Sequence, residues 1–412
     1  MNRRKFIGRT AAQLAFLNIL GIPVAKASLA GSFNMNDEEQ AEQGEIIYRT
    51  LGRTGIKVPV VNMGVMNANL PNLITQSYYN GVRLFDTAWF YQNGMNEKMV
   101  GETLESMGVR DEVNIVTKIY LKETERDLYK PEIKQLFLDR FEESLNRLKT
   151  DHVDVLLYHA TSDSKEHNNP YILEAFEELK KAGKYRFRGV SLHGDDPALL
   201  DEIAETGYYD VVMVMINIAF KDNTRLLQSI ENAANKGVGI IAMKTQCGGG
   251  GYMWWNDHED SRETVGDLNH KAMLKWVLQH EFIATAIPGY TSYEQMEENL
   301  SVNYNIQFTT EEQEFLNRAE VLASRNFCVD CKKCVSACPK NVDIPRLMRT
   351  HMYAYQYRNM EHAMAMEKCI PANRGLQNCY QCGECSASCS RAVNIAANIN
   401  RLKDLNFKAA RV

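Results

Sequence analysis

The sequence has few cysteines over most of its length. Eight of its ten cysteines belong to two motifs in the last quarter of the 412-residue chain, which excludes a disulfide framework spread through the whole fold. Beyond residue 27 there is no apolar run of the roughly 20 residues that a membrane-spanning helix needs. No strong excess of one charge is present either. The net charge of −5 argues against a general nucleic-acid-binding protein.

Charge divides the chain into two parts. The length predicts about two to three domains, or one large barrel with a small module. Residues 45–322 hold 28 Lys and Arg against 42 Asp and Glu, whereas residues 323–412 hold 14 against 6. We therefore predict two chemically different domains joined end to end.

The first 27 residues have the order of a signal peptide. Arg3, Arg4 and Lys5 precede an apolar stretch, and the small-residue site Ala25-Lys26-Ala27 follows it. The stretch is too short and too polar for a membrane anchor. The Arg-Arg pair followed by Lys-Phe-Ile resembles the twin-arginine export motif. This resemblance implies a periplasmic protein that is exported already folded and is not an integral membrane protein after cleavage.

Between residues 45 and 322, short strand-like runs alternate with helix-like segments. The runs are almost continuously apolar, as in parallel strands buried on both faces. Eight such alternations predict an α/β fold of the (β/α)₈ TIM-barrel class, whose usual size is about 250 residues. A doubly wound sheet is the alternative, but no G-x-G-x-x-G follows the first run. The predicted strands are 58–65, 83–86, 114–118, 153–159, 186–191, 211–217, 237–244 and 283–288.

Four polar side chains lie at or just after the ends of these strands. Asp86, Lys118 and His159 end the second, third and fourth strands, and Tyr91 follows Asp86 by five residues. Barrel enzymes carry their chemistry at this edge, so the four form a candidate acid–base site; buried, paired structural groups are the alternative. Because an ammonium stabilises a phenolate, we predict that Lys118, held charged by Asp86, lowers the pKa of Tyr91 from its usual value near 10.

The blocks around these residues resemble those of the aldo-keto reductases. The stretch from Gly81 to Tyr91 is similar to the family signature, and the blocks ending at Lys118 and His159 are similar to two further ones. The resemblance extends from Tyr48 to Asn299. It implies a carbonyl–alcohol oxidoreductase in which Tyr91 donates the proton to the carbonyl oxygen, Lys118 and Asp86 tune it, and His159 orients the substrate oxygen.

The same resemblance implies that NADP or NAD binds the barrel. Leu192 stands where the family has Asn, and Met243 where an aromatic ring often stacks. The last block has no Arg or Lys for a 2′-phosphate, so the choice between the two cofactors stays open. A barrel that keeps the four catalytic candidates and binds the dinucleotide poorly is the alternative. The implied cofactor residues are Ser191, Asn217, Lys244, Gly289, Thr291, Ser292, Gln295, Glu298 and Asn299.

A glycine run at residues 248–251 leads into Trp254 and Trp255, which are followed by several acids. Long loops at a barrel mouth commonly shape the substrate site. Two hypotheses stand beside each other: the two rings stack on a sugar or another ring-shaped substrate, or they pack on the barrel as part of a lid.

Two cysteine motifs of identical spacing, Cys-x₂-Cys-x₂-Cys-x₃-Cys, lie 51 residues apart. The first is the bacterial ferredoxin run, in which the fourth cysteine binds the other cluster. Val342 pairs with Val393 and Ile344 with Ile395 at the same offset, so this is an internal repeat. Zinc sites use pairs rather than tandem runs of four. We predict one 4Fe–4S cluster on Cys328, Cys331, Cys334 and Cys389, and a second on Cys379, Cys382, Cys385 and Cys338.

The segment between the motifs is rich in Met, Tyr and Ala and has no glycine over residues 343–367. It is predicted to be helical, and the domain resembles the helical ferredoxin domains of fumarate reductase iron–sulfur subunits. Its positive charge suits an acidic redox partner, and a solvated surface is the alternative. Cys247 and Cys369 are assigned no role.

Taken together, the sequence predicts an exported oxidoreductase that interconverts a carbonyl and an alcohol, with clusters that relay electrons to or from a partner. The alternative is an electron carrier or binding protein whose barrel has lost or weakened nicotinamide-dependent catalysis. A third hypothesis makes the clusters structural only. The predicted segments are a signal peptide (1–27), a linker (28–44), the barrel (45–322) and a small, mainly α-helical ferredoxin-like domain (323–412).

Overall fold

The computed structural model describes residues 44–122, 125, 130–246, 269–323, 328–382 and 385–405. An antiparallel hairpin of β1 (Tyr48–Thr50) and β2 (Lys57–Pro59) begins the fold. At its turn Gly52 has a φ of +50°, and a Cβ there would lie 2.3 Å from the backbone nitrogen of Gly239. Only glycine fits so close an approach in this conformation, which lets the hairpin sit against one end of the central sheet.

The central sheet has eight parallel strands in sequential order. Backbone bonds from Asn62 N to the oxygen of Ala286 (2.9 Å) and from Gly64 N to the oxygen of Pro288 (3.1 Å) join the last strand to the first. These bonds close the sheet, and the predicted (β/α)₈ fold is confirmed. The strands are β3 (Met63–Gly64), β4 (Leu84–Asp86), β5 (Asn114–Ile119), β6 (Val153–Thr161), β7 (Tyr185–Leu192), β8 (Val211–Met215), β9 (Gly239–Met243) and β10 (Thr285–Ala286).

Amphipathic helices surround the sheet. In Pro170–Lys181 the residues buried against the barrel are Ile172, Ala175, Phe176 and Leu179, which have the spacing of one helix face. The helices of the barrel are α1 (Pro71–Tyr79), α2 (Met95–Met107), α3 (Glu132–Leu148), α4 (Ser164–His167), α5 (Pro170–Lys181), α6 (Pro197–Glu205), α7 (Thr224–Asn235), α8 (His270–Leu278), α9 (Tyr293–Ser301) and α10 (Thr310–Ala323).

The C-terminal part is helical, as the sequence predicts. It contains α11 (Ile344–His351), a π-helical turn (Met352–Gln356), α12 (Met360–Lys368) and α13 (Ile395–Asp404). The residues paired by the 51-residue offset, Val342 with Val393 and Ile344 with Ile395, lie in one small hydrophobic core. The two halves of the repeat therefore pack on each other.

Several predictions fall outside the described residues. These are the signal peptide at 1–27, the linker except for Gly44, the glycine run at 248–251, and Trp254 and Trp255. Within the described ranges, no helix has both the length and the apolar character needed to cross a membrane. The predicted domain boundaries stay predictions.

Candidate active site

Three of the four catalytic candidates meet at the ends of β4 and β5. The Lys118 ammonium lies 2.7 Å from Asp86 Oδ1 and donates to the carbonyl oxygen of Thr87 at 2.7 Å. Its nitrogen is 3.4 Å from the Tyr91 hydroxyl oxygen. All three side chains are buried. The strand ends thus hold a carboxylate, an ammonium and a phenol in a chain of contacts.

His159 reaches the same place through an irregularity in β6. The pairing of β6 with β7 shifts between Tyr158 and Thr161, and Ala160 adopts a φ of +62°. The Ser191 hydroxyl accepts a hydrogen bond from Ala160 N at 2.8 Å. Such a bulge redirects side chains, and here the His159 ring stands edge-on to Tyr91 with ring centres 5.9 Å apart.

Burial dominates the pKa values of this group. It raises the pKa of Tyr91 well above 10, with Asp86 adding to the effect, and lowers the pKa of Lys118. The prediction that Lys118 lowers the pKa of Tyr91 is therefore wrong for this arrangement, because the phenol is cut off from water and Asp86 offsets the ammonium. Burial and then the Lys118 charge hold the pKa of His159 well below its usual value, so its imidazole is neutral.

The C-terminal domain covers the barrel mouth. The His362 ring of α12 stands 5.8 Å from the Tyr91 ring and 4.3 Å from the ring of Tyr353 in the π-helical turn. On the rim, Asn93 donates to Glu361 at 2.9 Å. Tyr91 is only 8% exposed. The sequence predicts that this Met-, Tyr- and Ala-rich segment is helical, but it does not show that the segment contacts the barrel.

A second histidine, His193, lies at the mouth and is not among the site residues predicted from the sequence. Its Nδ1 lies 2.9 Å from the Lys244 ammonium, and its ring centre lies 5.6 Å from that of His159. Burial lowers the pKa of Lys244 to about 7. His193 and Lys244 line, together with Cys328 and Arg349, a cavity of about 20 Å³. That volume holds a water molecule and no ring-shaped ligand.

The predicted carboxamide-binding residues are already engaged with the backbone. Asn217 donates to the carbonyl oxygen of Lys244 at 2.9 Å and accepts from Ala219 N at 3.0 Å, and the Ser191 hydroxyl is held by Ala160. The described residues thus fix the orientation of both carboxamide candidates, and binding of NADP or NAD stays a prediction.

The predicted phosphate-binding residues surround the N-terminus of α9. Ser292 caps this helix, and the Gln295 amide oxygen accepts from Thr291 N at 2.9 Å. Asn299 donates to the oxygen of Gln295 at 2.8 Å. Gly289 and Glu298 belong to the same segment, in which residues 289–299 include no Lys or Arg. A helix N-terminus suits a phosphate, so this end fits a dinucleotide that lacks a 2′-phosphate better than one that carries it.

The eight motif cysteines form two groups, and each group takes its fourth member from the other motif. In the first group, burial and the nearby Cys331 and Cys389 raise the pKa of Cys334 to about 11. Burial raises the pKa of Cys328 to about 12, with the nearby Cys334 adding to it. The structure thus brings together Cys328, Cys331, Cys334 and Cys389.

The second group lines a cavity of about 90 Å³, to which Cys338, Cys379, Cys382 and Cys385 all contribute. None of the motif cysteines forms a disulfide bond. In the described ranges, no group of three or more His, Cys, Asp or Glu side chains is arranged around a single metal ion. Four thiols around a cavity larger than one ion fit an iron–sulfur cluster, so the residues present suit that group.

Comparisons with known proteins agree with this division of the chain. Residues 68–270 match the aldo/keto reductase family, and residues 312–395 match the 4Fe-4S dicluster domain. L-galactose dehydrogenase of Arabidopsis thaliana is 25% identical over 306 residues, which cover 68% of this chain and 94% of that protein. Methylglyoxal reductase of Escherichia coli O157:H7 is 28% identical over 239 residues, 56% of this chain and 80% of that protein.

Among solved structures, the chain is similar to the holo form of an aldo-keto reductase from Bacillus halodurans. The TM-score is 0.53 at 23% identity, and the match covers 66% of this chain and 96% of that one. The fold and the matches define an aldo/keto reductase domain followed by a 4Fe-4S dicluster domain. The protein is an aldo-keto-reductase-like oxidoreductase.

Proposed function

We propose that this protein interconverts a carbonyl and an alcohol at Tyr91 and exchanges the electrons with an external partner through two 4Fe–4S clusters. One observation carries the proposal: Cys328, a ligand of the first predicted cluster, lines the same small cavity as His193 and Lys244 at the barrel mouth. Backbone contacts tie this motif to the barrel, because Asp195 N donates to the oxygen of Val329 at 3.0 Å.

Tyr91 supplies the proton that goes to the carbonyl oxygen. Conversion of a carbonyl to an alcohol consumes two electrons and two protons; the electrons come one at a time from the reduced partner through the clusters, and water supplies the proton that goes to the carbon. Tyr91 keeps its proton at working pH because its pKa is raised, and it donates that proton to the carbonyl oxygen. Lys118 and Asp86 fix the phenol, and the neutral imidazole of His159 orients the substrate oxygen.

The cysteine groups determine how electrons pass. When bound, each 4Fe–4S cluster carries one electron at a time. The thiols of Cys328, Cys331, Cys334 and Cys389 hold the inner position beside the mouth. The second group includes the exposed Cys385, and Lys340 and Lys403 line its cavity. These lysines suit an acidic redox protein, which is the partner we propose.

The substrate class that we propose is a small carbonyl or alcohol compound of the sugar type. The name of the relative L-galactose dehydrogenase supports it. Trp254 and Trp255 are the predicted stacking residues for such a ring.

We also propose export by the twin-arginine route. Cell fractionation tests this with the tagged native protein and the tagged double variant Arg3→Lys/Arg4→Lys. The native chain should collect in the periplasm and the variant should not.

The second candidate function, an electron carrier with an inactive barrel, is favoured by the covered mouth and by the engaged side chain of Asn217. The two candidates differ in a single-turnover experiment. Holoprotein is reduced without oxygen and mixed with sugar carbonyl compounds while cluster absorbance is followed. If the protein is an oxidoreductase, the substrate reoxidises the clusters and Tyr91→Phe lowers the rate. If it is an electron carrier, the cluster absorbance does not depend on Tyr91.

NADP or NAD stays a prediction for this chain. Mass spectrometry of small molecules released from natively exported protein tests it directly. A dinucleotide present in a constant ratio to protein would support the family cofactor. If no dinucleotide is found and the substrate still oxidises the clusters, the electrons pass through the clusters alone.

A further inference from the structure

A cleft of about 430 Å³ lies between the barrel loops and the C-terminal domain, beside the covered mouth. Its size suits a small-molecule ligand. The inner end reaches Tyr120, whose ring centre lies 5.6 Å from that of His159, and the outer end reaches Cys331 of the first cluster group. A ligand in this cleft would therefore contact both the rim of the active site and the surroundings of the inner cluster.

Two buried side chains of the cleft each carry one polar atom that has no hydrogen-bond partner among the described residues. These are Thr161, whose Oγ1 is unpaired at 2% exposure, and His193, whose Nε2 is unpaired at 8% exposure. An unpaired buried polar atom destabilises a fold unless a ligand or a water molecule bonds to it. Ala160 also lines the cleft in its left-handed conformation. Unpaired groups and backbone strain cluster where a protein binds a ligand.

The wall formed by the C-terminal domain carries more positive than negative groups. Asp343 is shared by Arg346 at 3.4 Å and Arg374 at 3.8 Å. Arg349 is paired with Asp330 at 2.6 Å. Lys332 adds a further ammonium, which donates to a backbone carbonyl oxygen of the barrel at 3.3 Å. Among the described residues of this wall that line the cleft, four are cations and two are carboxylates. The wall therefore suits an anionic group, and guanidinium groups suit a carboxylate in particular.

The charged residues that the barrel contributes to the lining of the opposite wall are all acids. Asp163 accepts from Lys165 N at 2.8 Å, and Asp196 accepts from Leu199 N at 3.0 Å. Glu166 and Asp195 line the same wall. An ionised carboxylate offers about four acceptor positions, so Asp163 and Asp196 keep capacity for hydroxyl donors after capping their helices. The two walls thus present opposite chemistry across one cleft.

We infer that this cleft binds a small polyhydroxylated carboxylate of the sugar-acid class. Its carboxylate lies on the wall of Arg346, Arg374 and Lys332, and its hydroxyls lie on the acidic wall and on Thr161. The inference rests on the proposed function only where it takes this ligand as the substrate; the binding itself requires no turnover.

Calorimetric titration of the cluster-loaded full chain tests the inference with D-glucuronate, D-glucose and acetate. Glucuronate should bind at least about tenfold more tightly than either of the others, because each of those lacks one of the two recognised features. Arg374→Gln and Lys332→Gln should each weaken glucuronate binding about tenfold. Lys333→Gln is the matched control, since this neighbouring lysine does not line the cleft, and it should leave the affinity unchanged.

Three results would overturn the inference: no binding of glucuronate, equal affinity for glucose, or equal weakening by Lys333→Gln. Failure of the proposed function looks different. In that case Tyr91→Phe leaves turnover unchanged while glucuronate still binds and still responds to Arg374→Gln. If other carbonyl compounds are reduced in a Tyr91-dependent way while glucuronate does not bind, the cleft inference alone fails.

Discussion

The two cysteine groups have the same spacing in sequence and different surroundings in space. The first lies against the barrel, where Cys328 is beside Lys244 and Arg349 and Cys331 packs on the barrel core. The second lines an open cavity with Lys340 and Lys403 and includes the exposed Cys385. A repeat therefore predicts ligands but not environment. The environment of each cysteine group depends on what packs against it. Only the first group packs against the barrel, so it is the inner group and the second is the outer group.

The largest effect is expected from removing the crossing cysteines. Cys389→Ala should remove the cluster held with Cys328, and Cys338→Ala the cluster held with Cys379, because each motif donates its fourth ligand to the other site. Each variant should lose about half of the iron. The spectrum of the remaining cluster should be the same in Cys389→Ala as in Cys328→Ala. It should likewise be the same in Cys338→Ala as in Cys379→Ala.

Cys369→Ala is the control, since this buried cysteine belongs to neither group, and it should keep all of its iron. Uncrossed pairing would instead make Cys389→Ala resemble Cys379→Ala. The inner and outer roles separate in the same set of variants. Loss of the inner cluster should stop substrate-driven electron transfer, whereas loss of the outer one should stop only the transfer to a partner.

The second-largest effect is expected from a substitution in the barrel that leaves the iron–sulfur domain unchanged. Tyr91→Phe removes the proton donor but keeps the buried ring, so turnover should fall about 100- to 10,000-fold with iron content unchanged. Steady-state rates with a carbonyl substrate, beside an iron assay, measure this. Tyr185→Phe, at a buried tyrosine that donates to the backbone away from the mouth, is the matched control. Unchanged turnover in Tyr91→Phe would leave only the carrier function.

The sequence predicts the barrel well because its signals are local. Nearly continuous apolar runs mark strands buried on both faces, and Asp86, Lys118 and His159 lie at or close to the C-terminal ends of three of them. The pKa of Tyr91 was predicted in the wrong direction because it depends on what covers the phenol. Tyr353 and His362 lie more than 260 residues away in sequence, and no local pattern shows which surface a helical stripe meets.

A smaller effect tests the outer group as the exit for electrons. Lys340→Gln and Lys403→Gln should each lower the rate of electron transfer to an acidic acceptor protein a few-fold, since charges at a docking surface mainly steer association. The difference from the native protein should shrink at high salt. Stopped-flow mixing with an acidic ferredoxin measures the rate. If Lys98→Gln, on the barrel surface, had the same effect, general charge and not this face would be responsible.

The smallest effect concerns the contact that joins the two regions over the mouth. Burial lowers the pKa of His362 to about 3, with the Lys244 charge adding to it, while the rings of Tyr91, Phe90 and Tyr353 surround it. In the unfolded chain the same histidine titrates near 6.5. Below pH 6.5 the unfolded chain therefore takes up a proton that the folded protein does not take up. The folded state loses stability relative to the unfolded state as the pH falls from 6.5 toward 3. At pH 5 the loss is about 2 kcal/mol.

His362→Phe should reduce the drop in Tm between pH 7 and pH 5 by a few degrees, because phenylalanine fills the same space and takes up no proton. Calorimetry of the holoprotein at both pH values measures the drop, and comparison of the two slopes removes any acid effect on the clusters themselves. If His362→Phe keeps the native slope, His362 is open to water in the folded protein and α12 does not seal the mouth.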